Sequence, residues 1–107
     1  MSEVLKEVNL QSFKEEVLDC PDPVLVDFYA SWCNPCKKVF QLLDKIRQAS
    51  NKIKIVKINI EESSELASNY MVMSIPAIIL FKAGKPQEKI VGMVSEREIL
   101  KMISRHI

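Results

Sequence analysis

Seven residues, the stretch VLVDFYA from Val24 to Ala30, limit the possible folds more than any other segment. A strand with one wet face alternates polar and apolar side chains. One that reads almost continuously apolar is covered on both faces and belongs at the centre of a sheet. The chain therefore needs a packed layer on each side of that sheet. The one exception in the run is Asp27, in its middle.

The flanking segments supply those layers. EVLKEV (Glu3 to Val8) alternates weakly and reads as a short first strand. Asn9 offers a helix cap, and Leu10, Phe13, Val17 and Leu18 follow at helical spacing until the prolines of CPDP (Cys20 to Pro23) end the helix. A long helix is expected from Asn34 to Ser50, with Val39, Leu42, Leu43 and Ile46 on one stripe. IKIVKINI (Ile53 to Ile60) is strand-like, and SSELASNY suggests a short helix.

AIILF (Ala77 to Phe81) and EKIVG (Glu88 to Gly92) flank KAGKPQ as a hairpin. Ala83 suits a two-residue turn poorly, because both centres of such a turn need positive φ; a longer loop with Gly84 alone left-handed is expected. In SERE, Ser95 and Glu98 form a capping box ahead of a last helix whose stripe is Ile99, Leu100, Ile103 and Ile107. The order is βαβαβαββα in one α/β domain, residues 1–107. Strands separated by helices are expected to pair in parallel through right-handed crossovers, and the hairpin to add an antiparallel pair.

Charge narrows the function. Fifteen basic and fourteen acidic residues, interleaved along the chain, give a net charge of +1. A nucleic-acid binder gathers a basic excess on one face, so that class is excluded. MSEVLKEVNL lacks the basic start and apolar run of a signal peptide. IPAIILF, the longest uncharged apolar run, is far short of the roughly 20 residues that span a bilayer. The expectation is a cytoplasmic protein with no membrane partner.

Three cysteines cannot all pair within one chain, which sets aside a disulfide framework. Cys33 and Cys36, in WCNPCK, fall between the end of the central strand and the start of the long helix. Residues three apart there are close enough to bond. Helix N–H groups and the positive dipole end favour an anion at Cys33, so its pKa should be lowered, while Cys36 stays protonated and shielded. Pro35 is tolerated in the first turn and stiffens the bridge. The pair suits disulfide exchange, with Cys33 attacking and Cys36 resolving. Zinc would need four ligands; Cys20 could supply only a third, and the one histidine is His106.

VDFYASWCNPCK resembles the active-site segment of the thioredoxin family, and VKINIEE, MSIPAIILFKAGK and KIVGMVS follow at that family's spacings. The likeness covers essentially the whole chain. It implies a thioredoxin fold: a five-stranded mixed sheet flanked by four helices, with Cys33 as nucleophile and Cys36 as resolving thiol. It implies a cis bond before Pro76, with Ile75 lending its backbone to a substrate strand. Trp32, Ile75, Pro76, Val91 and Gly92 would form an apolar docking rim.

Asp27 should be buried with a raised pKa, able to exchange a proton with Cys36; the plainer reading is a paired carboxylate at the strand's edge. From the residues alone a strand lysine faces solvent, as expected of Lys54. The resemblance instead places Lys57 beside Asp27. It further implies a monomer that needs no bound cofactor or metal, reduces disulfides in partner proteins and is recycled by a thioredoxin reductase.

The chain departs from that family in several places. Asn34 stands where glycine is usual, which leaves the fold intact and shifts the redox potential modestly. Phe40 replaces a proline that kinks the helix, and Tyr29 a tryptophan. Met71 and Met73 are read as packing, or else as widening the range of partners. Cys20 is an inert packed thiol or an exposed one open to oxidation. His106 serves its helix end. Two other functions stay open: a binding or assembly module without turnover, and a more oxidising oxidase or isomerase, against which the neutral Pro35 argues.

Overall fold

The structure, a computed structural model, describes residues 5–50 and 52–107. Its strands are β1 (Lys6–Glu7), β2 (Val24–Tyr29), β3 (Lys54–Asn59), β4 (Ala77–Lys82) and β5 (Lys85–Val91). Its helices are α1 (Asn34–Ala49), α2 (Ser64–Asn69) and α3 (Glu96–Ser104), preceded by a π-helical turn at Lys14–Leu18. The sheet order is β1-β3-β2-β4-β5, which puts the apolar run of β2 at the centre.

β1 and β2 both run parallel to β3. β4 departs from the expected rule: although α2 separates it from β3, it lies antiparallel beside β2, and β5 lies antiparallel beside β4. Alternation along β2 divides the core. Leu25 joins Val39, Leu43, Ile46, Ile99 and Met102 beneath α1 and α3. Val24, Val26 and Phe28 join Phe13, Val17 and Leu66 on the other face. The first residues of the EVLKEV strand lie outside the described residues.

Several expectations are corrected. The hairpin turn is the two-residue kind, with Ala83 at φ 53° and Gly84 at φ 79°. β5 therefore begins at Lys85, and a bulge between Leu80 and Phe81 absorbs the register. This turn's twist matches that of the strands, and that fit outweighs the steric cost at Ala83. A Cβ on Gly84 would meet the Leu18 carbonyl oxygen at 2.8 Å. Met102 is buried in α3, whereas Leu100 and Ile107 are exposed; Leu10 is exposed too. Asn9 does cap its turn, accepting from the Ser12 N–H at 3.0 Å, and Ser95 and Glu98 form the capping box.

Candidate active site

The site is built at the junction of β2 and α1. The Cys33 N–H donates to the Ala30 carbonyl at 3.2 Å, closing a turn that carries Ser31 and Trp32. Cys33 is extended (φ −91°, ψ 105°) and is the N-cap of α1; its Sγ accepts the Cys36 N–H at 3.2 Å. A cysteine thus takes the place that a serine or aspartate usually fills, satisfying an orphan donor at the positive end of the helix. Pro35, in the first turn, removes another donor without cost. Cys33 and Cys36 are joined as a disulfide, with Cα atoms 5.3 Å apart. Both are buried, and their cluster with Ala30 is packed by Tyr29, Ile60 and Ile75. Asn34 is exposed beside them.

Glu61, which the sequence did not single out, anchors the turn. Its Oε1 accepts from the Ser31 N–H at 3.1 Å and from the Ser31 hydroxyl at 2.9 Å. Those bonds hold its carboxyl below the usual range. The Glu61 N–H in turn donates to Asn59 Oδ1 at 2.8 Å. Trp32 is 66% exposed, so it serves no core.

The Ile75–Pro76 bond is cis. The Pro76 carbonyl accepts the Gly92 N–H at 2.8 Å, tying this loop to the end of β5. Gly92 has φ +93°, yet a Cβ there would meet nothing within 4 Å. Glycine is needed for the backbone angle, and it leaves the face open. Val91 beside it is 51% exposed. Met71 and Met73 are exposed as well, Met73 by 90%, so their reading as packing residues is corrected.

Asp27 is fully buried, and neither carboxylate oxygen has a hydrogen-bond partner. The edge-paired reading is therefore wrong. Burial pushes its carboxyl well above the ordinary range, and the nearby positive charge of Lys57 offsets part of that. Lys57 is its partner in the β2–β3 register. The Lys57 Nζ lies 5.7 Å from the Tyr29 ring centre and 5.1 Å from that of Phe40. Those rings meet edge to face at 4.9 Å, and the Tyr29 hydroxyl donates to Glu7 Oε1 at 2.7 Å.

Lys54, expected to be solvated, instead reaches the Glu16 carboxylate at 2.7 Å. Cys20 is half-buried against the second core cluster. His106 and Arg105 both grip Glu88 of β5, the former at 2.6 Å. Among the described residues no helix is long and apolar enough to cross a membrane, and no group of three or more His, Cys, Asp or Glu side chains could hold a metal.

A redox-active cysteine pair at a strand-to-helix junction, with a cis-proline loop on the same five-stranded sheet, defines a dithiol–disulfide oxidoreductase. The chain belongs to the thioredoxin family, whose model matches residues 4–105. Thioredoxin 1 of Nostoc sp. is 41% identical over 102 residues, covering 94% of this chain and 95% of its own. The thioredoxin of Rickettsia typhi is 41% identical over 97 residues, covering 90% and 92%. The chloroplastic M-type thioredoxin of Chlamydomonas reinhardtii is 42% identical over 101 residues, covering 94% and 72%. The protein is a protein-disulfide reductase of that family, acting on disulfide-containing proteins.

Proposed function

We propose that catalysis proceeds from Cys33 as nucleophile, with Cys36 resolving and Asp27 exchanging the proton. The observation that carries this reading is the seat of the Cys33 sulfur. It already accepts the Cys36 N–H at the helix start, where a thiolate gains most from the helix dipole. In the reduced protein the Cys33 thiolate attacks one sulfur of a partner disulfide. That bond breaks, a mixed disulfide forms, and the second partner sulfur leaves as a thiolate and takes up a proton. Cys36 passes its proton to Asp27 and attacks the Cys33 sulfur. The first partner sulfur then leaves and is protonated. The partner has gained two electrons and two protons, and the chain is left as the Cys33–Cys36 disulfide.

Asp27 suits this exchange because burial raises its proton affinity toward that of a thiol. Lys57 supplies the opposing charge. Trp32, Ile75, Pro76, Val91 and Gly92 form the docking rim; the open backbone at Gly92 and the exposed Trp32 and Val91 favour an extended partner segment there. Asn34, exposed in the first turn beside Pro35, tunes the potential. The chain works as a cytoplasmic monomer of one domain and is returned to its reduced form by a thioredoxin reductase.

The test is trapping. Reduced Cys36→Ser mixed with a disulfide-bonded protein should accumulate a mixed disulfide through Cys33, and Cys33→Ser should accumulate none. Trapping through Cys36 instead would reverse the two roles. Biological function retained by Cys33→Ser would mean that the chain acts by binding rather than turnover.

A further inference from the structure

Phe40 lies outside the path of electrons and protons just described, yet its ring bears on that path. It follows Cys36 by four residues, so the two share one face of α1. Strand alternation puts Leu25, Asp27 and Tyr29 on the same face of β2, and Ile55 and Lys57 on that face of β3; Leu25 and Ile55 pack there with α1. On this face the Phe40 ring meets the edge of Tyr29. The Lys57 ammonium stands within the roughly 6 Å over which a ring attracts a cation.

We propose that Phe40 is a positioning residue for proton transfer, forming with Tyr29 a two-ring seat that keeps the Lys57 ammonium where its charge acts on Asp27. The proposal rests on the reading of Asp27 as proton carrier. A lysine head carried on a flexible four-carbon stem is strongly hydrated, and a half-buried one is drawn outward to water unless something holds it. The Tyr29 and Phe40 ring faces lie against that head, and β1 sets Glu7 beside Lys57 in the register. The Tyr29 ring is itself fixed, through its hydroxyl, to Glu7 of β1.

The surroundings of Asp27 give this charge its leverage. Neither carboxylate oxygen is hydrogen-bonded, so charge rather than bonding opposes burial. β3 presents Lys57, while β4 presents Ile78 on the opposite side. α1 brings Cys36, which is tied in the disulfide when oxidised, and Phe40. α3 adds apolar Ile99 and Met102 to the same face. The Tyr29 phenol sits two residues along β2 and feels Glu7 and Glu62. Among these described groups Lys57 is the cation.

The experiment follows the Asp27 carboxyl carbon by NMR through a pH titration of the oxidised protein, in wild type, Phe40→Leu, Phe40→Tyr, Lys57→Met and the Lys57→Met/Phe40→Leu double variant. Phe40→Leu keeps an apolar side chain but no ring. It should raise the Asp27 midpoint by roughly half a unit, about a threefold change in proton affinity, as expected from losing one cation–ring contact. Phe40→Tyr should match wild type. In the Lys57→Met background the leucine substitution should move nothing further.

An unchanged midpoint in Phe40→Leu overturns the proposal. An equal shift when Lys57 is absent also overturns it, because the effect would then come through packing. The pH profile of substrate reduction is read separately. A midpoint that moves while the rate profile stays put supports the seat and removes Asp27 from the proton path.

Discussion

Asp27→Asn is the substitution that isolates what a buried carboxyl without hydrogen bonds does to this fold. The side chain is fully buried, both oxygens lack hydrogen bonds, and burial holds its pKa well above the ordinary 3.8. A folded-state pKa raised above the unfolded one means that the folded protein binds this proton more tightly. Stability is then greatest at low pH, where both states are protonated. It falls as pH climbs from the unfolded value to the folded one, by about 1.36 kcal/mol for each unit between them. Asparagine keeps the shape and never ionises.

At pH 8 the variant should therefore exceed wild type by about 1–4 kcal/mol, the scale found when buried ion pairs give way to apolar residues of similar volume. In a domain of this size each kcal/mol moves Tm by about 4–8 °C. At pH 3 the two proteins should unfold together. Urea titrations of the oxidised forms at pH 3, 5.5 and 8 read this directly, because the bonded cysteines do not titrate. Equal stability at pH 8 would refute the reasoning, as would a gain that persists undiminished at pH 3. The same variant should reduce substrate at least tenfold more slowly at neutral pH, since a positioned acid or base is worth about 10²–10⁴ in rate.

Other substitutions test other parts of the structure. Ala83→Asn should stabilise the hairpin by about 0.5–1 kcal/mol, because asparagine tolerates the φ of 53° that alanine adopts there; an unchanged urea midpoint would count against a strained turn. Glu88 is gripped by Arg105 and His106, which hold its pKa at about 2 instead of 4.5. Its contribution is complete above pH 4.5 and is lost as pH falls toward 2, so the stability gap between wild type and Glu88→Gln should close across that window. A gap of constant size would mean that the clasp is not ionic. Asn34→Gly should move the redox potential by no more than about 30 mV, equivalent to 1.4 kcal/mol, as measured against defined thiol buffers. A larger move would make Asn34 a principal determinant of the potential.

Local signals in the chain translated well. The apolar run around Asp27, the Ser95–Glu98 capping box and the cysteine pair at a helix start each state their conformation within a few residues, and all three stand in the structure as read. What failed depended on how elements pair and pack rather than on the local run of residues. Ala83 adopts positive φ because the twist of β4 and β5 selects that turn, and the cost lies below what the paired strands return. Leu100 and Met102 exchanged places because α3 presents one limited face to the sheet, and a stripe counted from sequence alone can be rotated by one position. Lys54 looked like a solvated strand lysine, since nothing near it in the chain hints at Glu16, 38 residues away.

The site divides along the same line. Cys33, Cys36 and Pro35 could be placed by a helix-start argument, and the burial of Asp27 by its neighbours. Glu61 carries no such mark: one of several acidic residues after a strand, it matters only because the fold brings it under Ser31. Phe40 is the sharper case. As a sequence difference it suggested a straighter helix, a property of α1 alone. In the fold its ring centre lies 5.1 Å from the ammonium of Lys57, the register partner of the buried Asp27. Helix geometry fixes which face Phe40 occupies, and strand alternation fixes the face of Lys57. Only the packing of α1 on β2 and β3 makes the two faces one site, and that packing is a sum over the whole core rather than a property of any segment.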